Sequence, residues 1–196
     1  MVLKKLHEMV LRQLSMMTVV LCWICVGVAG CTTVTVQPSP PLDAQAAWVI
    51  LPMLNNAQSP QAGQRVESIL AALLRAKGVV KLDTYSSSGE GEALSELDDR
   101  QLYEKALEWA QSRHYRYGVA GSVEEWHYKS GAEGVPAVGL TISVVDVASG
   151  RVVWSATGAQ TGWGRDALTA VAQRLLKKFL DGLEITEGQL SHVKEG

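Results

Sequence analysis

Few side chains of this sequence have the type and spacing that bond-breaking chemistry needs. Its four histidines, His7, His114, His127 and His192, include no His-Glu-x-x-His arrangement, so no two imidazoles are set for one metal ion. Glu124 and Glu125 form a carboxylate pair of the kind used in acid–base catalysis. They lie in YRYGVAGSVEEWHYK, which reads as a strand, and neighbouring strand residues point to opposite faces. There is no Gly-x-Ser-x-Gly elbow, and the glycines of SGEGE and SGAEG lack the strand-to-helix context of a phosphate cradle. The expectation is a protein that is not an enzyme and has no resident metal or cofactor.

The three cysteines, Cys22, Cys25 and Cys31, carry a different chemistry. Lys4, Lys5 and Arg12 precede an apolar stretch, roughly residues 16–31, and Thr, Gln, Ser and Pro follow up to Pro41. This order of basic, apolar and small residues marks a secretory signal, and the apolar part is near or below the ~18 residues of a stable membrane span. Its end, Val28-Ala29-Gly30-Cys31, resembles the bacterial lipobox: a branched apolar residue, two small ones, then the cysteine that receives diacylglycerol and further acyl chains such as palmitate. Cys31 is the expected lipidation site. Cleavage before it removes Cys22 and Cys25, so no disulfide can form within a mature subunit. Thr32 stands where an Asp would favour inner-membrane retention, which points to the outer membrane.

Cleavage also removes three basic residues and Glu8 from totals of 18 Lys+Arg and 20 Asp+Glu, leaving 15 against 19 and a net charge of −4. That balance argues against nucleic acid as a partner. The acids cluster: Asp83, Glu90, Glu92, Glu96, Asp98, Asp99, Glu104 and Glu108 are opposed only by Arg100 and Lys105, a pattern that suits either a solvated face or attraction of a cationic ligand. Trp163, flanked by Gly162 and Gly164 and followed by Arg165, has no apolar neighbour to bury it. It suits a membrane interface, where an indole sits at headgroup level; the alternative is a ring folded back over the end of a sheet.

These residues need a scaffold. Residues 1–30 read as the lipoprotein signal and 31–46 as a lipidated N-terminus and flexible tether. A folded domain over 47–185 and a tail over 186–196 complete the chain. In the domain, WVILPML is a strand buried on both faces. Ser59 and Pro60 open a helix whose stripe is Val66, Ile69, Leu70, Leu73 and Leu74 and which Gly78 stops. VVKLDTY is a second strand, and a helix follows from Asp98 or Asp99 to Arg113, its acids near the positive end of the dipole. Three further strands then form a meander with hairpin chemistry at Ala148-Ser149-Gly150, and a last helix carries Leu168, Val171, Leu175, Phe179 and Leu183 inward. The expectation is an α/β fold, β-α-β-α-β-β-β-α, with a mixed five-stranded sheet packed against helices and a right-handed crossover joining the first two strands.

Taken with the lipobox, the exit Leu51-Pro52-x-x-Asn55-Asn56, Gln61-Ala62-Gly63-x-Arg65 and Gly162-Trp163-Gly164-Arg165, the chain resembles the PelC family, outer-membrane lipoproteins of the Pel exopolysaccharide export system. The strand exit and first helix are shared more widely with the CsgG, LpoB and TolB N-terminal-like superfamily. The resemblance implies a homo-oligomer, a dodecameric ring facing the periplasm and held to outer-membrane lipid by its acyl chains and by aromatic side chains. Its acidic lumen would guide a cationic polysaccharide of the biofilm matrix to a PelB-like outer-membrane porin. On that implication Trp163 and Arg165 contact the membrane, and Glu133, then Glu124 and Glu125, guide the polysaccharide. An LpoB-like activator of a peptidoglycan synthase and a CsgG-like secretion channel component are the alternatives. The tether of about 15 residues is short for the former, and no long hairpins with a lipid-facing side support the latter.

Overall fold

The computed structural model describes His7, Arg12, Gln13, Ser15 and Met16 and residues 32–86, 98–129, 134–164 and 166–187. The chain divides into two units, Met1–Cys31 and Thr32–Gly196. The described residues of the first are helical. Among the described residues no helix is long and apolar enough to cross a membrane.

The second unit is built on one mixed sheet. Its strands are β1 (Thr32–Val36), β3 (Ala47–Ile50), β4 (Leu54–Asn55), β5 (Lys81–Thr84), β6 (Tyr117–Tyr128), β7 (Pro136–Asp146) and β8 (Arg151–Thr161). They lie in the order β1-β8-β7-β6-β3-β5, with β4 also on β6. A small parallel pair, β2 (Leu42–Asp43) with β9 (Ile185–Thr186), stands apart. Helices α1 (Ala62–Ala76), α2 (Asp99–Ser112) and α3 (Leu168–Asp181) cover the sheet. The mixed α/β architecture is the expected one, and β3 and β5 are parallel across α1. The sheet has seven strands, two more than the sequence suggested.

Periodicity explains both layers. The stripes of α1 and α3 pack Val66, Leu70 and Leu74 with Val171, Leu175 and Phe179 against Trp48, Ile50, Leu140, Ile142 and Trp154 of the sheet. Burial of such side chains contributes about 1.5–3 kcal/mol each. A smaller core on the opposite face joins Val49, Leu51, Ala120, Val145 and Val147 to Ala106 and Ala110 of α2. β3 therefore buries alternate residues in two different cores, which is why WVILPML reads as a continuous apolar run.

Two local expectations change. The helix does not start at Ser59-Pro60, because the chain makes one more turn there. Gln61, in the left-handed region at φ 59°, takes the N-cap position of α1 without a side-chain cap. The expected start of α2 is found, with Asp98 and Gln101 capping each other reciprocally. The larger change lies in the segment read as a flexible tether. Thr32–Val36 pairs antiparallel with β8 over five residues, and Gln37 extends the pairing through its N–H to the Ser155 carbonyl (2.9 Å). Ala44 and Ala46 are held by backbone hydrogen bonds as well.

Candidate functional site

One end of the sheet brings the start of β1, through its pairing with β8, close to the turn that carries Trp163. Thr32, the first residue of β1, sits opposite Gln160 near the end of β8. Lys178 of α3 pins both, its ammonium donating to Thr32 Oγ1 (3.2 Å) and Gln160 Oε1 (3.3 Å). Ala137 is opposite Thr161 and Pro136 opposite Tyr128, so the end of β6 and the start of β7 lie at the same end. Trp163 follows Gln160 by three residues, at most about 11 Å of chain. Cys31 itself lies outside the described residues, but one peptide bond joins it to Thr32.

Trp163 is 58% exposed, so the ring does not fold back over the sheet. Its turn is nevertheless tied down. The Trp163 N–H donates to Asp166 Oδ2 (3.1 Å) and its carbonyl accepts from the Asp166 N–H (2.8 Å). Arg174 Nη2 meets the same carboxylate oxygen at 2.5 Å. The backbone N–H of Trp163, with the guanidinium of Arg174, holds the Asp166 carboxyl below its ordinary range. Gly162 is buried, with no room for a β-carbon against Val171 and Pro136, and Gly164 takes φ +33°. Tyr128, half-exposed, reaches the Asp166 carbonyl through its hydroxyl (3.4 Å). The fixed turn thus presents an indole to solvent, beside the phenol of Tyr128 at the end of β6. Arg165 lies outside the described residues.

The carboxylates behave differently from a simple alternating pair. A bulge between Val123 and Glu125 shifts the β6–β7 register, so both Val123 and Trp126 enter the large core and Glu124 is the extra residue. Glu124 accepts from Asn56 Nδ2 (3.0 Å) and from Ser122 Oγ (2.5 Å). Glu125 pairs with His127 Nε2 at 3.4 Å. The structure gives the two carboxylates separate partners. Glu124 and Asn56 help line a cleft of about 500 Å³ with Gln58, Trp126, His127 and Tyr128, next to the tryptophan turn. Glu133 lies outside the described residues, between Lys129 and Gly134 of the β6–β7 hairpin. Among the described residues no group of three His, Cys, Asp or Glu side chains is placed to hold a metal ion.

Tyr128, Asp166 and Arg174 were not singled out in the sequence, and Asn56 only as part of the strand exit. An Asp three residues after Trp163 is the turn-forming signal for Asp166, while the roles of Tyr128 and Asn56 depend on strand pairing.

Comparison with solved structures decides the family. A dodecameric PelC from Paraburkholderia phytofirmans is 38% identical, with a TM-score of 0.68, and covers 80% of this chain and 100% of that one. The chain belongs to the PelC family. A point variant of the same dodecamer, in a second crystal form, matches with the same values. The lipoprotein GNA1162 from Neisseria meningitidis, at 14% identity, TM-score 0.52 and coverage of 69% and 96%, shares the fold with this PelC-family chain. No protein-family model and no curated protein sequence matches it.

Proposed function

We propose that this PelC-family chain is a non-enzymatic, periplasm-facing outer-membrane lipoprotein of a Pel-type exopolysaccharide export system. It assembles as a ring of about twelve copies, as its relatives' dodecamers suggest. It is made with a signal over residues 1–30 and anchored through Cys31. The observation that carries this reading is the meeting of the pinned start of β1 with exposed Trp163 at one end of the sheet. Acyl chains on Cys31, one bond from Thr32, enter a bilayer at the level where the indole of Trp163 and the guanidinium of Arg165 sit at the headgroups.

The work of the ring is guidance of a cationic polysaccharide toward a PelB-like porin. Glu133, Glu124 and Glu125 supply the negative charge. A cation about 10 Å from one carboxylate gains about 0.4 kcal/mol in water, and about 0.1 kcal/mol after physiological screening. Twelve equivalent carboxylates raise this to about 1.4 kcal/mol, about a tenfold local enrichment of cationic sugar units. No covalent bond changes, and the energy for movement comes from elsewhere in the export machinery.

The anchor is tested by Cys31→Ser with metabolic palmitate labelling. The variant is expected to lose the label and to accumulate with its signal uncut, whereas retained label or normal cleavage refutes the anchor.

A further inference from the structure

Glu124 is held in place without being neutralised. Its Oε2 accepts from Asn56 Nδ2 and its Oε1 from Ser122 Oγ, both uncharged donors, and among the described residues it forms no ion pair. A carboxylate offers about four lone-pair positions, so about two stay open to a further donor. The bulge that sets this side chain apart is built into the strand pairing. A β-carbon on Gly139, opposite Glu125 in β7, would press on the Glu125 β-carbon at 3.1 Å. Bulges of this kind re-aim side chains beside binding sites. The wall facing Glu124 is equally fixed, because the Asn56 N–H donates to the Val123 carbonyl (2.9 Å) and Asn55 Nδ2 to the Ser59 carbonyl (3.0 Å).

The cleft that Glu124 helps to line, at about 500 Å³, has the size of a small-molecule site, roughly 300–1,000 Å³. Its polar wall is the Glu124 carboxylate with the amides of Asn56 and Gln58. Tyr128, on the aromatic wall, is 51% exposed and so has ring surface free to carry a ligand. Trp126 is 2% exposed, and its indole N–H has no acceptor among the described residues, the kind of orphan that a bound oxygen satisfies. Among the described residues no lysine or arginine lines the cleft, so an anionic ligand would meet Glu124 with no counter-charge.

We propose that this cleft binds one amino-sugar unit of a saccharide chain, with its ammonium on Glu124, its hydroxyls on the amides of Asn56 and Gln58, and its ring against Tyr128. The proposal rests on the polysaccharide reading above and gives each subunit a binding site of its own. The open positions of a carboxylate call for a cationic donor, and an ammonium beside aromatic rings also gains cation–π attraction. Amides, which both donate and accept, beside an aromatic ring match a ligand that is hydroxylated at its edge and apolar on its face. An ethanolamine lipid headgroup shares the ammonium but adds a phosphate, for which the described wall holds no partner. Binding in such a cleft differs from attraction by a diffuse ring of charge. It saturates, it requires the sugar ring, and salt screens it less.

The test is calorimetric titration of the full chain in detergent with three probes: the glucosamine trisaccharide, its fully N-acetylated counterpart, and spermidine, which has the charge but no ring. The glucosamine trisaccharide is expected to bind saturably and the other two at least about tenfold more weakly. Glu124→Gln, which keeps the shape, and Tyr128→Ala are each expected to weaken the trisaccharide about tenfold, with unchanged circular dichroism spectra. Should Glu124→Gln misfold, Gln58→Ala at an exposed loop position takes its place, with a loss of at least about threefold expected. Absence of saturable binding to wild type, equal binding of spermidine, or wild-type affinity in the variants overturns the proposal. Tighter binding of glycerophosphoethanolamine than of the trisaccharide also overturns it and assigns the cleft to a lipid headgroup. The guidance reading fails separately. Saturable binding alongside normal export from a chain with Glu124, Glu125 and Glu133 reversed in charge refutes guidance and keeps this site, whereas lost export without saturable binding does the opposite.

Discussion

Replacing Trp163 by Ala should weaken membrane association while leaving the fold intact. The indole is 58% exposed. With side-chain areas for large aromatics of up to about 250 Å², roughly 140 Å² remains to be buried, worth at most about 3.5 kcal/mol at 25 cal/mol per Å². Incomplete burial at headgroup level lowers this to about 2 kcal/mol, a factor of about 30 in partition. Acyl chains, at about 0.8 kcal/mol per methylene, would mask a change of that size. The comparison therefore uses chains starting at Thr32, which contain the whole second unit, binding to vesicles of phosphatidylethanolamine and phosphatidylglycerol by sedimentation. The hydrogen bonds of Trp163 to Asp166 use its own N–H and carbonyl, so Ala keeps them, and unfolding free energy should change by less than about 0.5 kcal/mol. A partition loss smaller than about threefold, with the fold unchanged, would refute the assignment of this indole to the bilayer.

The Asp166 latch should respond to acid in a defined direction. Its carboxyl is lowered below the ordinary value by the Trp163 N–H and Arg174. Its contribution is therefore complete above the unfolded value near 3.8 and is lost as pH falls through the lower folded value. The Trp163 amide proton resonance, read by NMR in the otherwise unchanged chain, should be constant from pH 7 to about 4.5 and shift below, and Asp166→Asn should abolish that shift. Glu67 is pushed upward by burial while accepting the Met53 N–H (2.9 Å). Glu67→Gln, which keeps an acceptor, should be neutral or stabilising at pH 7. Glu67→Ala should cost about 1–3 kcal/mol by leaving the N–H without its partner, as read by urea unfolding. A β-carbon at Gly158 would strike the Thr33 carbonyl across the β1–β8 pairing. Gly158→Ala should cost about 1–3 kcal/mol and speed hydrogen exchange in Thr32–Val36, and unchanged exchange there would show that this pairing tolerates the added methyl.

What could be read from the sequence followed the range of the forces involved. The stripes of α1 and α3 and the cap at Asp98 are local, and they place three helices and the strand meander. Thr32–Val36 has the two-residue alternation of a strand, yet it becomes one only by pairing with Gln160 to Ala156, some 120 residues away. Beside Cys31 and before Pro38 it therefore reads as a tether. The bulge at Glu124 is likewise a property of the pairing with β7 and cannot be seen in Glu-Glu alone. The glycines on both sides of Trp163 left two placements of its ring open, and the 58% exposure selects between them. The Asp166 latch that fixes it needed the return of α3, which brings Arg174 to the turn.

The central claim is that a ring of carboxylates guides a cationic polymer, and export itself tests it most directly. Cells carrying Glu124→Lys, Glu125→Lys and Glu133→Lys together would be assayed for secreted polysaccharide, with outer-membrane location and native mass checked in the same cells. The account predicts about a tenfold or greater fall in export with location and assembly unchanged. Normal export from a correctly located, fully assembled triple variant would contradict it.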